Sequence, residues 1–286
     1  MAINWENQVV LLTGASGGIG SAMAKAIDKK GGQLVLTGRD EAKLQQLSAL
    51  LNHSHKVIQA DITTPCGRKK ISHVCERLPI SILINNAGIT QVGEFSEAAI
   101  PKIINTNLTA PMLLTQEMMP QLCAQPQAHV VNVGSALGGI GFAAHSVYCA
   151  TKFGIKGWTE AMIREHANTQ LHFHYLAPRA TNTAINDSRV NAMNKALKNT
   201  VDSPETVADA LITLLTNNVS RRELGLSERF FTKLNALFPS LVDKALAKQL
   251  DTIKKYTFSH AKSVQPHPVE EHTNGHLAGE QKKGTS

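Results

Sequence analysis

The segment Gly14-Ala-Ser-Gly-Gly-Ile-Gly20 joins a short apolar run, Gln8-Val-Val-Leu-Leu-Thr13, to a helical stretch reaching about Lys30. A short apolar run bounded by polar residues is the pattern of a strand buried on both faces. With no side chains at positions 14, 18 and 20, the backbone can turn tightly. A pyrophosphate can then approach the N–H groups that open the following helix. The spacing is Gly-x-x-x-Gly-x-Gly rather than the Gly-x-Gly-x-x-Gly of many dinucleotide sites. A strand, such a loop and a helix in succession predict dinucleotide binding and restrict the chain to a layered α/β architecture.

The pattern repeats. Gly31-Gly32 ends the first helix. Strands are predicted over 34–37, 56–60, 81–84 and 130–133, with helices over 40–51, 65–77 and 97–119 between them. Such alternation with short links predicts a doubly wound parallel sheet. Ligands bind beyond the C-terminal ends of its strands.

Composition removes several alternatives. Of 286 residues, 42% are hydrophobic and 18% charged, as in a globular protein. No apolar run reaches the roughly 18 residues a membrane span requires. The polar start, Met1 to Gln8, leads directly into a strand and does not resemble a signal peptide. Cys66, Cys75, Cys123 and Cys149 have neither metal-ligand nor disulfide-framework spacing, so free thiols in a cytoplasmic protein are expected. The net charge of +7 comes without basic blocks interleaved with aromatics, which argues against nucleic acid as a partner.

Two stretches carry chemistry. On a helix, Tyr148 and Lys152 stand four apart on one face. A neighbouring ammonium favours phenolate, so the Tyr148 pKa is expected to fall below its usual value of about 10. The second stretch, Thr37-Gly38-Arg39-Asp40, ends the second strand, where an NAD site usually offers a carboxylate to the ribose. Arg39 suits a 2′-phosphate instead. Asp40 is the rival ribose ligand, but it directly precedes a helix and reads better as its N-cap. Asp61, followed by Ile62, ends the third strand, where a carboxylate can accept from an adenine amine.

These pieces continue in Asn85-Asn-Ala-Gly88, Asn105-Thr-Asn-Leu108, Val133-Gly-Ser135 and Tyr148-x-x-x-Lys152. In order and spacing, the set over residues 5–215 resembles the single-domain short-chain dehydrogenases/reductases. The resemblance implies a Rossmann-type sheet of about seven strands and a catalytic tetrad of Asn107, Ser135, Tyr148 and Lys152. Ser135 would polarise a carbonyl, Tyr148 would be its acid or base, and Lys152 would bind nicotinamide ribose. Asn107 would hold a water linking Lys152 to solvent. The implied cofactor contacts are Gly14, Ser16, Gly18, Ile19, Gly20, Arg39, Asp61, Ile62, Asn86, Tyr148, Lys152 and Thr181, with no metal. The implied function is NADP(H)-dependent interconversion of a small-molecule carbonyl and an alcohol, in a homodimer or homotetramer. The alternatives are an NAD-dependent alcohol dehydrogenase and a catalytically silent cofactor-binding sensor or scaffold. His145, one turn before Tyr148, is a substrate contact or a helix-start residue. The family's usual Pro-Gly after the sixth strand is here Pro178-Arg179. That guanidinium is aimed at cofactor phosphate, at an acidic substrate group or at solvent.

Residues 184–200 are polar with little period and fit a mobile lid. Ser203-Pro-Glu-Thr206 opens a helix to about Thr216, with Ser as cap and Pro at its first position. The catalytic domain is expected over 1–225. In 226–258, Phe230, Phe231, Leu234, Leu237 and Phe238 fall on one helical face and Pro239 breaks the helix. Ser240 is expected to cap a second helix with Asp243, striped by Val242, Leu246, Leu250 and Ile253. Residues 221–258 hold eight Lys/Arg against four Asp/Glu. This basic pair fits packing on the domain or a partner subunit, or a peripheral membrane contact through 228–256, which would imply a lipophilic substrate. Residues 259–286 are expected to form a disordered polar tail.

Overall fold

The computed structural model describes residues 3–183 and 188–258. The predicted tail therefore lies outside the described residues. Seven strands form one sheet: β1 (Val9–Thr13), β2 (Gln33–Gly38), β3 (Lys56–Gln59), β4 (Ile80–Asn85), β5 (Ala128–Val133), β6 (Leu171–Ala177) and β7 (Arg221–Glu223). Their order is β3-β2-β1-β4-β5-β6-β7 and every pairing is parallel. The order reverses between β1 and β4, so the crevice for a ligand opens above those two strands.

Helices α1 (Gly18–Lys29), α2 (Glu41–Ala49), α3 (Pro65–Cys75), α4 (Ile100–Ile104), α5 (Ala110–Cys123) and α6 (Ser146–Glu165) connect the strands. α7 (Ser188–Ala196) and α8 (Pro204–Thr216) precede β7. α9 (Leu226–Leu237), α10 (Pro239–Ala247) and α11 (Leu250–Thr257) follow it. Strand residues alternate between two cores. Val10, Leu12, Ile82, Ile84 and Val131 pack with α1 and α8, through Met23, Leu211 and Leu214. Leu11, Leu83 and Val130 pack on the other side with α3 and α5, through Ile71, Leu114 and Met118. Both faces are buried, so the strands read as unbroken apolar runs.

The stretch expected as one regular helix over 97–119 is a short turn followed by a continuous helix, Ile100 to Cys123, interrupted by a π turn. Phe95–Glu97 is a 3-10 turn, α4 follows, and Asn105–Thr109 widen into a π turn before α5. Pro111 has no N–H to offer the carbonyl of Asn107, four residues before it, so regular α-helix fails there. The expected lid contains a helix, α7. Its Val190 and Met193 are buried against Ile253 of α11 and lie near Phe142 and Ala144. Its partner apolar residues come from a segment sixty residues downstream, beyond the reach of a local pattern. α10 begins at Pro239 with no side-chain cap, so Ser240 and Asp243 do not form the expected capping box. The stripe from Val242 to Ile253 is divided between α10 and α11.

Two polar clusters sit away from the strand ends that carry the crevice. Asp28, buried at the end of α1, accepts from the N–H groups of Asn52 and His53 and lies 2.7 Å from His53 Nδ1 and 2.9 Å from His55 Nε2. His55 Nδ1 accepts from Leu34 N–H, so its Nε2 carries the proton and donates to Asp28. That ring has no lone pair left for a metal, and the cluster is a structural clasp. On the α1/α8 side, His174 donates from Nδ1 to the carbonyl of Val219, and its Nε2 accepts from His129 Nδ1 at 2.9 Å. Burial pushes His129 down to about 3 and His174 down to about 4.

An unfolded chain takes up protons at these histidines below about pH 6.5, while the native protein resists until about pH 4. Stability should therefore fall as pH drops through that window. Urea midpoints measured from pH 7 to pH 4 should decline, and less steeply in His129→Phe. Midpoints flat across the range would refute the buried neutral assignment.

Candidate active site

The glycine loop closes directly onto the segment after β4. Gly14 has φ +62°, in the left-handed region. A Cβ there would meet Ala87 Cα at 2.8 Å, and one at Gly20 would meet Asn86 Nδ2 at 2.9 Å and the Gly14 carbonyl still more closely. Thr13 Oγ1 accepts from the N–H groups of Asn86 and Ala87, and Asn86 Nδ2 donates to the carbonyls of Thr13 and Gly14. The Asn86 side chain thus braces the phosphate loop. A Cβ on Gly18 would meet Thr183 Cγ2 at 2.8 Å, so the chain beyond β6 lies over the loop. Ser16 and Ile19 are part of the loop's rim, and Ser16 Oγ is 3.5 Å from where a Cβ on Gly38 would lie.

Arg39 is exposed at the end of β2. Asp40 caps α2, accepting from Lys43 N–H at 3.0 Å, as its position implies. Asp61 is partly buried, which raises its pKa. The hydroxyl and N–H of Thr63 together with the Arg39 charge outweigh that and hold it below the usual carboxylate range. Arg39 and Asp61 therefore flank one edge of the crevice. The neighbouring Ile62 is buried, and its carbonyl accepts from Arg68.

Ser135 begins a 3-10 turn just past β5, its Oγ accepting from Leu137 N–H at 3.1 Å. Tyr148 and Lys152 lie on α6, with Lys152 Nζ 5.6 Å from the Tyr148 ring centre. The Ser135 side chain lies near enough to the Tyr148 phenol to favour its ionised form. Lys152 is buried and donates to the Val133 carbonyl at 2.9 Å. Its pKa is pushed down to about 8 by desolvation. The expectation of a lowered Tyr148 pKa is overturned: burial pushes it up to about 12, against the opposing effect of Ser135. In a dry site the cost of a phenolate exceeds what an adjacent, itself desolvated ammonium returns.

Asn107 is buried in the π turn. Its Oδ1 accepts from Ile89 N–H at 2.8 Å, while Nδ2 donates to the Ile89 carbonyl and to Thr151 Oγ1. Its side chain thus ties the segment after β4 to α6. His145, at the start of α6, is buried with its ring edge-on to Phe142 and Tyr148. Arg179 turns to neither cofactor nor solvent. It donates to both oxygens of Asp202, at 2.9 and 2.7 Å, and Nη1 is 3.7 Å from Glu228 of α9. Thr181, buried beside it, bridges to Asp202.

Sequence reasoning missed Tyr175. Its ring lies under Gly134 and Gly138, where any Cβ would collide with it, and its hydroxyl donates to the Ser135 carbonyl. The signal was two glycines flanking Ser135. It also missed that α9 packs on this loop: Asn235 Nδ2 donates to the Gly139 carbonyl at 3.1 Å. A small cleft beside Ser135 is lined by Gly139, Leu224, Glu228 and Thr232.

The family model for short chain dehydrogenases matches residues 8–194. The chain belongs to the short-chain dehydrogenase/reductase family. It is 33% identical over 223 residues to a ketoacyl reductase, HetN, of Nostoc sp., covering 74% of this chain and 77% of the relative. It is 28% identical to a 3-oxoacyl-[acyl-carrier-protein] reductase, FabG, of Rickettsia felis, over 76% of this chain and 93% of the relative. A short-chain dehydrogenase from Sphingobium yanoikuyae, solved with NADPH, superposes with a TM-score of 0.69 at 26% identity, covering 90% of this chain and 98% of that one. An NAD complex from Burkholderia phymatum shares the fold, with a TM-score of 0.75 at 18% identity over 84% and 96% of the two chains. The protein is an NAD(P)-dependent oxidoreductase acting on CH–OH groups.

The contact of Gly20 with the Gly14 carbonyl and Asn86 makes a direct test. Gly20→Ala should lose NADPH binding by at least about tenfold, since the loop must move off its brace. Gly17, whose Cβ would meet only the Gly14 carbonyl at 3.4 Å, should tolerate Ala. Fluorescence titrations of NADPH showing equal losses would contradict this geometry.

Proposed function

We propose that the protein is an NADP(H)-dependent reductase of a carbonyl group on a lipophilic substrate. The observation that carries this is the gathering of Ser135, just past β5, with Tyr148 and buried Lys152, whose Nζ is 5.6 Å from the Tyr148 ring centre, at the strand ends that carry the glycine loop. Two hydroxyls there converge on the space one substrate oxygen would occupy. The glycine cradle, which any added Cβ at Gly14 or Gly20 would fill, suits a dinucleotide. When bound, the cofactor supplies the hydride.

Ser135 would donate to the substrate oxygen and polarise the carbonyl. Tyr148 would deliver the proton from its phenolic oxygen. Its raised pKa keeps it protonated, the state a reductase's acid requires. Lys152 would hold the nicotinamide ribose. Asn107 would fix α6 through Thr151 and hold a water linking Lys152 to solvent. Gly14, Ser16, Gly18, Ile19 and Gly20 would cradle the pyrophosphate, with Asn86 as their brace. Asp61 and Ile62 would receive the adenine, and Thr181 would close the nicotinamide end. Arg39 beside Ser16 and Gly38 favours a 2′-phosphate, because Asp40 is engaged as a cap.

The names of the Nostoc relative, a ketoacyl reductase, and of the Rickettsia relative, a 3-oxoacyl-[acyl-carrier-protein] reductase, support a substrate with an acyl chain. The apolar shell of Phe142, Ala144, Val190 and Tyr256 around α7 suits such a chain. The working unit in this reading is a cytoplasmic homodimer or homotetramer.

Tyr148→Phe should lower NADPH-dependent turnover of 3-oxoacyl thioesters and simple ketones by about 10²–10⁴-fold while leaving NADPH binding intact. Turnover at the wild-type rate would remove Tyr148 from the chemistry. Arg39→Ala should weaken NADPH by about tenfold and leave NADH unchanged. Equal affinity of the wild-type protein for the two cofactors would rule out the NADP preference.

A further inference from the structure

The outward faces of α9 and α10 contribute nothing to the site they help enclose. Leu226, Phe230, Phe231, Leu237, Phe238 and Leu241 are exposed at 44 to 81% of their full accessibility. Lys233, Lys244 and Lys248 are exposed on the same stretch, with Arg229 exposed at the rim of the cleft beside Ser135, against one exposed acid, Asp243. The other acid, Glu228, is half-buried and close to Arg179. The opposite side of α9 grips the loop at Gly139 through Asn235. Val242 and Ile253 are buried, so the free apolar surface is narrower than the whole segment 228–256 and ends at Leu241.

We propose that this face, from Leu226 to Leu241, seats the protein on an anionic membrane surface. Exposed aromatic and leucine side chains among lysines and arginines are the chemistry of an interfacial helix. Anionic headgroups complement Lys233 within this face, Arg229 at its cleft side, and Lys244 and Lys248 just beyond its end. A second copy bound through the same face about a twofold axis would set those cations against their own equivalents, which disfavours self-pairing. The docked surface is the back of the helix that walls the cleft beside Ser135. On the reductase reading above, a carbonyl compound dissolved in the bilayer would thus reach the site with little passage through water.

Vesicle flotation of the full chain tests this, with phosphatidylcholine alone and with added phosphatidylglycerol, at low and high salt. Binding is expected only to the anionic vesicles and should weaken with salt. Phe230→Ser/Phe231→Ser/Phe238→Ser, and separately Lys233→Glu/Lys244→Glu, should each reduce it by at least about tenfold. Turnover of a water-soluble ketone should be unchanged in both variants, showing that they are folded. Absence of binding by the wild-type chain overturns the proposal, as does binding that neither variant weakens. Light scattering in which the Phe variant dissociates a lipid-free dimer would assign the face to a second copy and overturn it too. Anionic binding by a protein that reduces no carbonyl compound would leave the docking standing and remove the reductase reading.

Discussion

Two loops at the C-terminal ends of β1 and β4 are stitched together by one hydroxyl and one amide, and the site depends on that stitch. Thr13 Oγ1 takes the N–H groups of Asn86 and Ala87, while Asn86 Nδ2 holds the carbonyls of Thr13 and Gly14. Such close approach requires glycine at 14 and 20. It also orients the first N–H groups of α1 toward the crevice where the strand order reverses. Buried hydrogen bonds of this kind contribute about 1 kcal/mol each when made and cost more when one partner is lost. Their value here is in fixing position rather than in stability.

Burial is the dominant electrostatic effect at the chemistry. It raises the phenol of Tyr148 to about 12 and lowers the ammonium of Lys152 to about 8. Both shifts favour the neutral form, because a low-dielectric site penalises any charge. Lys152 is kept in place by the Val133 carbonyl rather than by a carboxylate. The result is a phenol held in its protonated form next to a desolvated ammonium.

The end of the chain does more than extend the domain. α9 packs on the loop that bears Ser135, and α11 holds α7 through Ile253. Arg179 joins these parts, gripping Asp202 at the base of the α7 segment and approaching Glu228 at the start of α9. The family's glycine at that position has no side chain to make this connection. At 10 to 26% side-chain exposure the three charges are partly desolvated, so the link outweighs an ordinary surface pair. Six large apolar side chains of α9, α10 and the residue between them remain at 44 to 81% exposure, each forfeiting part of the roughly 1.5–3 kcal/mol that full burial would contribute.

Much of this was legible locally. Apolar runs and the glycine spacing specified the parallel sheet, the phosphate loop and the caps at Asp40 and Ser203, because each depends on neighbours within a few residues. The motifs placed Ser135, Tyr148 and Lys152 at one strand edge. The π turn was foreshadowed only by Pro111, and Tyr175 only by the glycines that clear its ring. The helix within 188–196 had no local signature, since Val190 and Met193 are covered by α11. Sequence alone thus determined the fold class, the glycine loop after β1 and which polar residues meet at the strand edge beyond it. Tertiary structure decided the direction in which burial moves the Tyr148 pKa, the partners of Asn107 and Arg179, and which face of the final helices stays open. Those outcomes depend on desolvation and on contacts between segments far apart in the chain, which no local pattern encodes.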